Sequence, residues 1–170
     1  MDEREFEKVF WVIQPQLMRY ALAQLDVHAA EDAVSSTLLT LWRKPLDHPA
    51  DEGQERRLRA LAYEVLQGHI RNEYRTRQRR LGLLDRLGSL SSHSAHERDV
   101  SERIAEQSAI DHWLGQLSVD DQRVVLLFNA GFENDEIARI LGCSPAAAAK
   151  RRTRARSRLQ TIVNKERGTE

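Results

Sequence analysis

Apolar residues recur at three- and four-residue steps along most of the chain, and no stretch shows the alternation of a strand. From Asp2 to about Leu25 the stripe is Phe6, Val9, Phe10, Ile13, Leu17 and Tyr20, which predicts an amphipathic helix bent where Pro15 removes a backbone donor. A second helix is expected from about Ala29 to Lys44. Its inward residues are Ala30, Val34, Thr37, Leu38 and Leu41, and Glu31 and Asp32 fall in its first turn, where the helix dipole favours acid. Pro45, Pro49 and Gly53 break the chain into the loop PLDHPADEGQ. A third helix, about Glu55 to Arg80, begins with Leu58, Leu61, Ala62, Val65, Leu66, His69 and Ile70 inward and ends in RNEYRTRQRR.

Residues 81 to about 105 are rich in Ser, His and Gly and hold no sustained apolar period, so they read as a linker. Periodicity resumes with Ile110, Trp113, Leu114 and Leu117. Ser118 is placed to cap a helix carrying Val124 to Phe128, which Gly131 ends. The expected fold is all-α: two small helical domains, 1–80 and 108–164, joined by a flexible linker, 81–107, with a short tail, 165–170.

The stretch NDEIARILGCSPAAAAKRRTRARSRL meets several separate requirements of a helix-turn-helix. Ile137 and Leu141 supply the buried face of a first helix, and Ala138 is small enough for a second helix to cross closely. Gly142 sits where the turn needs positive φ. Ser144 can cap the second helix and Pro145 fills its first turn, where a missing N–H costs little. Along the second helix Ala148, Ala155, Leu159 and Ile162 share one side, while Ala147, Lys150, Arg151, Arg154 and Arg158 share the other.

Charge adds a partner class to this picture. Lys+Arg and Asp+Glu both total 26, yet they are sorted along the chain. Residues 1–55 carry 5 basic and 11 acidic side chains and residues 56–86 carry 9 and 3. Residues 87–116 carry 2 and 5, and residues 117–170 carry 10 and 7. Two basic clusters separated by acidic territory point to two contacts with a polyanion, and the alternative for either cluster is a solvated helix face. For the second cluster the polyanion is duplex DNA. Arg151 and Arg154 are the candidates for base readout, with Lys150 beside them, and Arg156 and Arg158 for phosphates.

Other chemistries find little support. Cys143 is the single cysteine, so no intrachain disulfide forms. No apolar run is long enough to span a membrane, so direct membrane insertion is not expected. The acidic start MDEREFEKVF is no secretory or mitochondrial address, which makes the expected location cytoplasmic. His93 and His96 lack a second ligand pair, so neither metal nor cofactor is expected. With no P-loop, nucleophile elbow or HExxH, the chain reads as a non-enzyme.

The order of the motifs resembles a bacterial family. LSVDDQRVVLLFNAGFENDEIARILGCSPAAAAKRRTRARSRL resembles region four of sigma factors, which reads the −35 promoter element. AEDAVSSTLLTLWRK resembles the region-two helix that docks on the clamp of the RNA polymerase beta-prime subunit. RLRALAYEVLQGHIRNEYRTRQRR aligns with the region-two helix that meets and melts the −10 element. With two such domains and a linker, the chain is similar to an extracytoplasmic-function (group four) factor of the sigma-70 family.

The resemblance implies an initiation factor without cofactors. Its partners would be core RNA polymerase, through the beta-prime clamp and the beta flap, and promoter DNA, with an anti-sigma factor as regulator. Glu31, Asp32, Leu38 and Trp42 would dock on polymerase, although Trp42 also suits a core anchor. Leu46 to Gln54 would capture a flipped base, and Arg71, Asn72, Arg75 and Arg79 would meet the −10 DNA. Ser144, Ala147, Lys150, Arg151, Arg154 and Arg158 would meet the −35 DNA. The chain departs from the family at Leu61, where an aromatic is common, and at Leu66, Gln67 and Gly68, where Ala-Arg-Asn is common. Asn72 replaces an Asp, Ala147 and Ala148 replace a Thr-Val pair, and Arg152 replaces an apolar residue, so it must snorkel or pair. Two other readings fit the residues: a stand-alone regulator that binds duplex DNA, and a protein-only interaction module.

Overall fold

The computed structural model describes residues 3–47, 49–86 and 108–167, and all their regular structure is helical. The helices are α1 (Glu3–Leu22), α2 (Val27–Trp42), α3 (Glu52–Arg86), α4 (Ser108–Gly115), α5 (Val119–Asn129), α6 (Asn134–Leu141) and α7 (Pro145–Arg167). The expected linker and the pair His93 and His96 lie outside the described residues, apart from the first residues of the linker.

Helices α1, α2 and α3 pack together around Phe10, Ile13, Leu17, Tyr20, Val34, Leu41, Leu66 and Ile70, all buried. The predicted stripes therefore supply the core, with three corrections. The start of α2 is Val27, because Asp26 is its cap and accepts from the Ala29 N–H at 3.0 Å. Glu31 and Asp32 consequently stand beyond the first turn, which holds no acid. At the other end α3 continues to Arg86, six residues past its expected stop. Trp11, most simply a core residue by sequence, is 71% exposed on the face of α1 opposite the stripe.

Helices α4 to α7 form the second group, centred on Leu117, Val124, Leu127, Ile137, Ile140 and Ala148. Ser118 caps α5, accepting from the Asp121 N–H at 3.3 Å. A capping box that the sequence reading missed starts α6. Glu133 caps the helix, and the Glu136 carboxylate accepts the Glu133 N–H at 2.9 Å. Gly142 closes α6 at φ 68°, ψ 42°, and Ser144 starts the next helix by accepting the Ala147 N–H at 3.2 Å. This is the predicted helix-turn-helix.

The two groups close on each other through α3 and α6. Tyr63 of α3 meets Phe132 edge-on, ring centroids 5.2 Å apart, and Arg59 stands 6.0 Å above the same ring. Around these rings Arg56 pairs with Glu136 and Glu133, and Arg139 pairs with Glu64 at 3.1 Å. Ion pairs of both polarities thus cross between α3 and α6 with its cap.

Candidate nucleic-acid interface

The second helix of the motif, α7, owes its position to small residues. Ala148 and Ala155 are fully buried, so the helix axis approaches α5 and α6 closely. The remaining turns of that side are filled by the partly buried Leu159 and Ile162. Arg152, which had to snorkel or pair, lays its guanidinium 5.0 Å from the centre of the half-exposed Phe128 ring. An arginine is thereby accommodated at a position on the packing side.

Away from the buried alanines, Ala146, Lys150, Thr153, Arg154, Ser157 and Arg158 are exposed, as is Arg156. Ala147 and Arg151 are half-buried at the edge. Ser144 is exposed, and its hydroxyl is engaged as the helix cap. The predicted residues therefore fall on one surface, but Arg154 and Arg158 carry a contact that the sequence reading missed. Both reach Asp121, a fully buried carboxylate in the first turn of α5. Arg154 donates from Nε at 3.3 Å and Nη2 at 3.2 Å, and Arg158 donates from Nη1. Burial alone would raise the Asp121 pKa, but hydrogen bonds from Arg158, the cap at Ser118 and Arg154 outweigh it and hold the carboxyl below its ordinary value. The site is thus a buried anion beneath two surface cations.

On α3, Arg71, Asn72, Arg75 and Arg79 share one exposed face. Arg71 also reaches the other unit, its Nη2 lying 3.4 Å from the Ile140 carbonyl at the end of α6. Arg77 in the same basic run has a structural role, bridging Glu73 at 2.9 Å and the α2 cap Asp26. The hydrogen bond from the Ala29 N–H, and after it the one from Arg77, keep the Asp26 carboxyl below its usual range. Between α2 and α3, Gln54 stiffens the turn, accepting from the Ala50 N–H at 3.0 Å and donating its own N–H to Asp51 at 2.7 Å. The loop proposed for a flipped base is therefore shorter than read, since α3 already begins at Glu52.

The residues that the resemblance assigns to polymerase docking lie on α2. Glu31 and Asp32 are exposed, Leu38 is partly buried against the core, and Trp42 is 46% exposed with its edge on Phe6 at 4.9 Å. Trp42 is thus half core anchor and half surface. Leu39 is exposed beside them and was not foreseen. Among the described residues no group of His, Cys, Asp and Glu could hold a metal ion, and no helix is long and apolar enough to cross a membrane.

A cationic helix held outward on a capped turn defines a DNA-binding protein of the helix-turn-helix class. Residues 107–159 match the model of sigma-70, region 4. The fold of nearly the whole chain matches two solved structures. One is the sigma factor RpoE, in complex with the anti-sigma factor NepR from Bartonella quintana. It shares 24% identity at a TM-score of 0.65, over 95% of this chain and 98% of that one. The other is CnrH in complex with the cytosolic domain of CnrY, with 21% identity at a TM-score of 0.56, over 96% and 90% of the two chains. Among curated proteins none matches the sequence significantly. The family match is thus confined to residues 107–159, and the two solved structures share the fold of nearly the whole chain.

Proposed function

We propose that this chain is a promoter-specificity factor that binds core RNA polymerase. Residues 1–80 form the docking domain that recognises and melts the −10 element, and residues 108–164 form the domain that binds the −35 element. The observation that carries this reading is the pairing, in one fold, of an outward cationic helix-turn-helix with a second exposed basic face, Arg71, Asn72, Arg75 and Arg79, on α3. Glu31, Asp32, Leu38 and Trp42 supply the polymerase contact, and the exposure of Trp42 and Leu39 leaves apolar surface for it. An anti-sigma factor is the expected regulator of this chain, and the RpoE structure named above is a complex with one.

The closed packing suits a resting form. Arg71, one of the −10 candidates, is engaged with α6, so full use of both DNA faces requires the two units to part. Transcription of fragmented genomic DNA by purified core polymerase, with and without the chain, tests the reading. Discrete 5′ ends that require the chain and share two upstream elements at fixed spacing are expected. Specific duplex binding by the chain alone, with no such starts, would make it a stand-alone regulator.

A further inference from the structure

We propose that Asp121 is a positioning residue for the DNA face, holding Arg154 and Arg158 as a fixed pair of phosphate contacts and leaving base readout to the strip around Lys150. This deepens the functional reading above and rests on its DNA-binding part.

Three observations support it. The first is direction. At 3.6 residues per turn, Lys150 and Thr153 lie about 150° around α7 from the buried Ala148 and Ala155, whereas Arg154 and Arg158 lie only about 110° and 70° away. The face opposite the packing side enters a groove, and its flanks meet the backbone. The second is tethering. Arg154 commits Nε and Nη2 to one oxygen of Asp121, and Arg158 commits Nη1 to the other. Reading guanine requires a guanidinium to aim a two-donor fork at O6 and N7, and a tethered group cannot turn freely to do so. The third is burial. Asp121 is 0% exposed while its partners are 49% and 53% exposed, so each arginine still shows surface to a ligand. An unpaired carboxylate there would be costly, which keeps both arginines in place before DNA arrives. Their ordering is therefore complete in the free protein and need not be supplied on binding.

The assignment of Arg154 moves accordingly from base readout to phosphate. Neighbouring Lys150 becomes the cation that discriminates bases, with the small Ala146, Ala147 and Thr153 around it able to approach base edges.

The test selects duplexes randomised across the upstream element, using the wild-type chain alone and bound to core polymerase, and repeats the selection with Asp121→Asn, Arg158→Lys and Lys150→Ala. Asp121→Asn should weaken binding to every selected duplex by about tenfold without altering the preferred bases, because it loosens contacts that carry no sequence. Arg158→Lys keeps the charge, loses the fork and should show a smaller uniform loss; it carries the test if the Asn variant does not fold. Lys150→Ala should change the preferred bases. The proposal is overturned if Asp121→Asn or Arg158→Lys shifts the selected sequence. It is also overturned if the loss disappears when the assay temperature is lowered by the change in melting temperature, which would make Asp121 merely structural. Selection by the chain alone but not with polymerase removes the initiation-factor reading and leaves this proposal tested. No selection by either form removes both.

Discussion

Arg56 of α3 forks onto Glu136 of α6, its Nε 3.0 Å from Oε1 and its Nη2 2.6 Å from Oε2, across 80 residues of sequence. The pair is only partly buried, so each half is worth little alone. Together with Arg139 and Glu64, however, it fixes which faces of α3 and α6 meet. Arg56→Glu should therefore shift the molecule toward a separated form without unfolding either unit. Small-angle scattering should report a larger radius of gyration, and Arg56→Glu combined with Glu136→Arg should restore the wild-type value. An unchanged radius in the single variant would show that the aromatic contacts alone keep the units together.

Acid should act on the same contact. Burial pushes the Glu136 pKa up, but the Arg56 fork, the Glu133 N–H and the charges of Arg56 and Arg139 push it down further, so it sits below the ordinary 4.5. A carboxylate depressed by folding stabilises fully above its ordinary value, and that stabilisation fades as pH falls through the folded value. The interface should hold from neutrality to about pH 4.5 and loosen below it. Asp121 is likewise held below an ordinary 3.8, so the stabilisation from its arginine pairs is present above that value and fades as pH falls through its folded value. Scattering recorded down an acid titration should therefore show an expansion that begins below about pH 4.5, with far-UV circular dichroism in parallel to separate it from loss of helix. Coincident transitions would count against a separate opening step.

Two glycines should respond oppositely to alanine. Gly142 has φ +68°, and a Cβ built there meets Arg71 Nη2 at 3.0 Å, so Gly142→Ala should cost about 1–2 kcal/mol. Gly68 is exposed within α3 and its Cβ would meet nothing within 4 Å, so Gly68→Ala should stabilise by about 1 kcal/mol. Thermal melts of the two variants separate these signs.

The apolar surface of α2 provides a binding prediction. Leu39→Ala removes an exposed side chain that the core does not need. It should leave the melting temperature within about two degrees of wild type, since exposed substitutions away from special features change stability by no more than ~0.5 kcal/mol. Its affinity for core polymerase, measured by fluorescence anisotropy, should fall several-fold. Unchanged affinity would remove Leu39 from the docking surface.

The helix-turn-helix was legible because its determinants are local: a glycine in the left-handed region, a capping serine, a proline at the first helical position and small residues at the crossing. The core stripes of α1 to α3 were legible for the same reason, since each is a period within one helix. The ends of α2 and α3 were misread. Asp26, outside the expected helix, outcompeted Glu31 and Asp32 as the start signal, and the leucine-rich LGLLDR run sustained α3 through Gly82. Trp11 defied its type, since composition places tryptophan inside but α1 turns that position to solvent. The partners Arg56–Glu136 and Asp121 with Arg154 and Arg158 are 80, 33 and 37 residues apart, and no periodicity encodes them.

Tyr20, Tyr63 and Phe132 stand in a row, each ring nearly perpendicular to the next at 83° and 82°, and the last step of the row crosses between the two units. A ring set edge-on against its neighbour works like a tooth in a notch. It obstructs sliding along the contact plane, while direct withdrawal meets no such obstacle. The boundary is therefore stiff to shear and weak to lift, so a wedge driven between α3 and α6 would part the units where a lateral push would not.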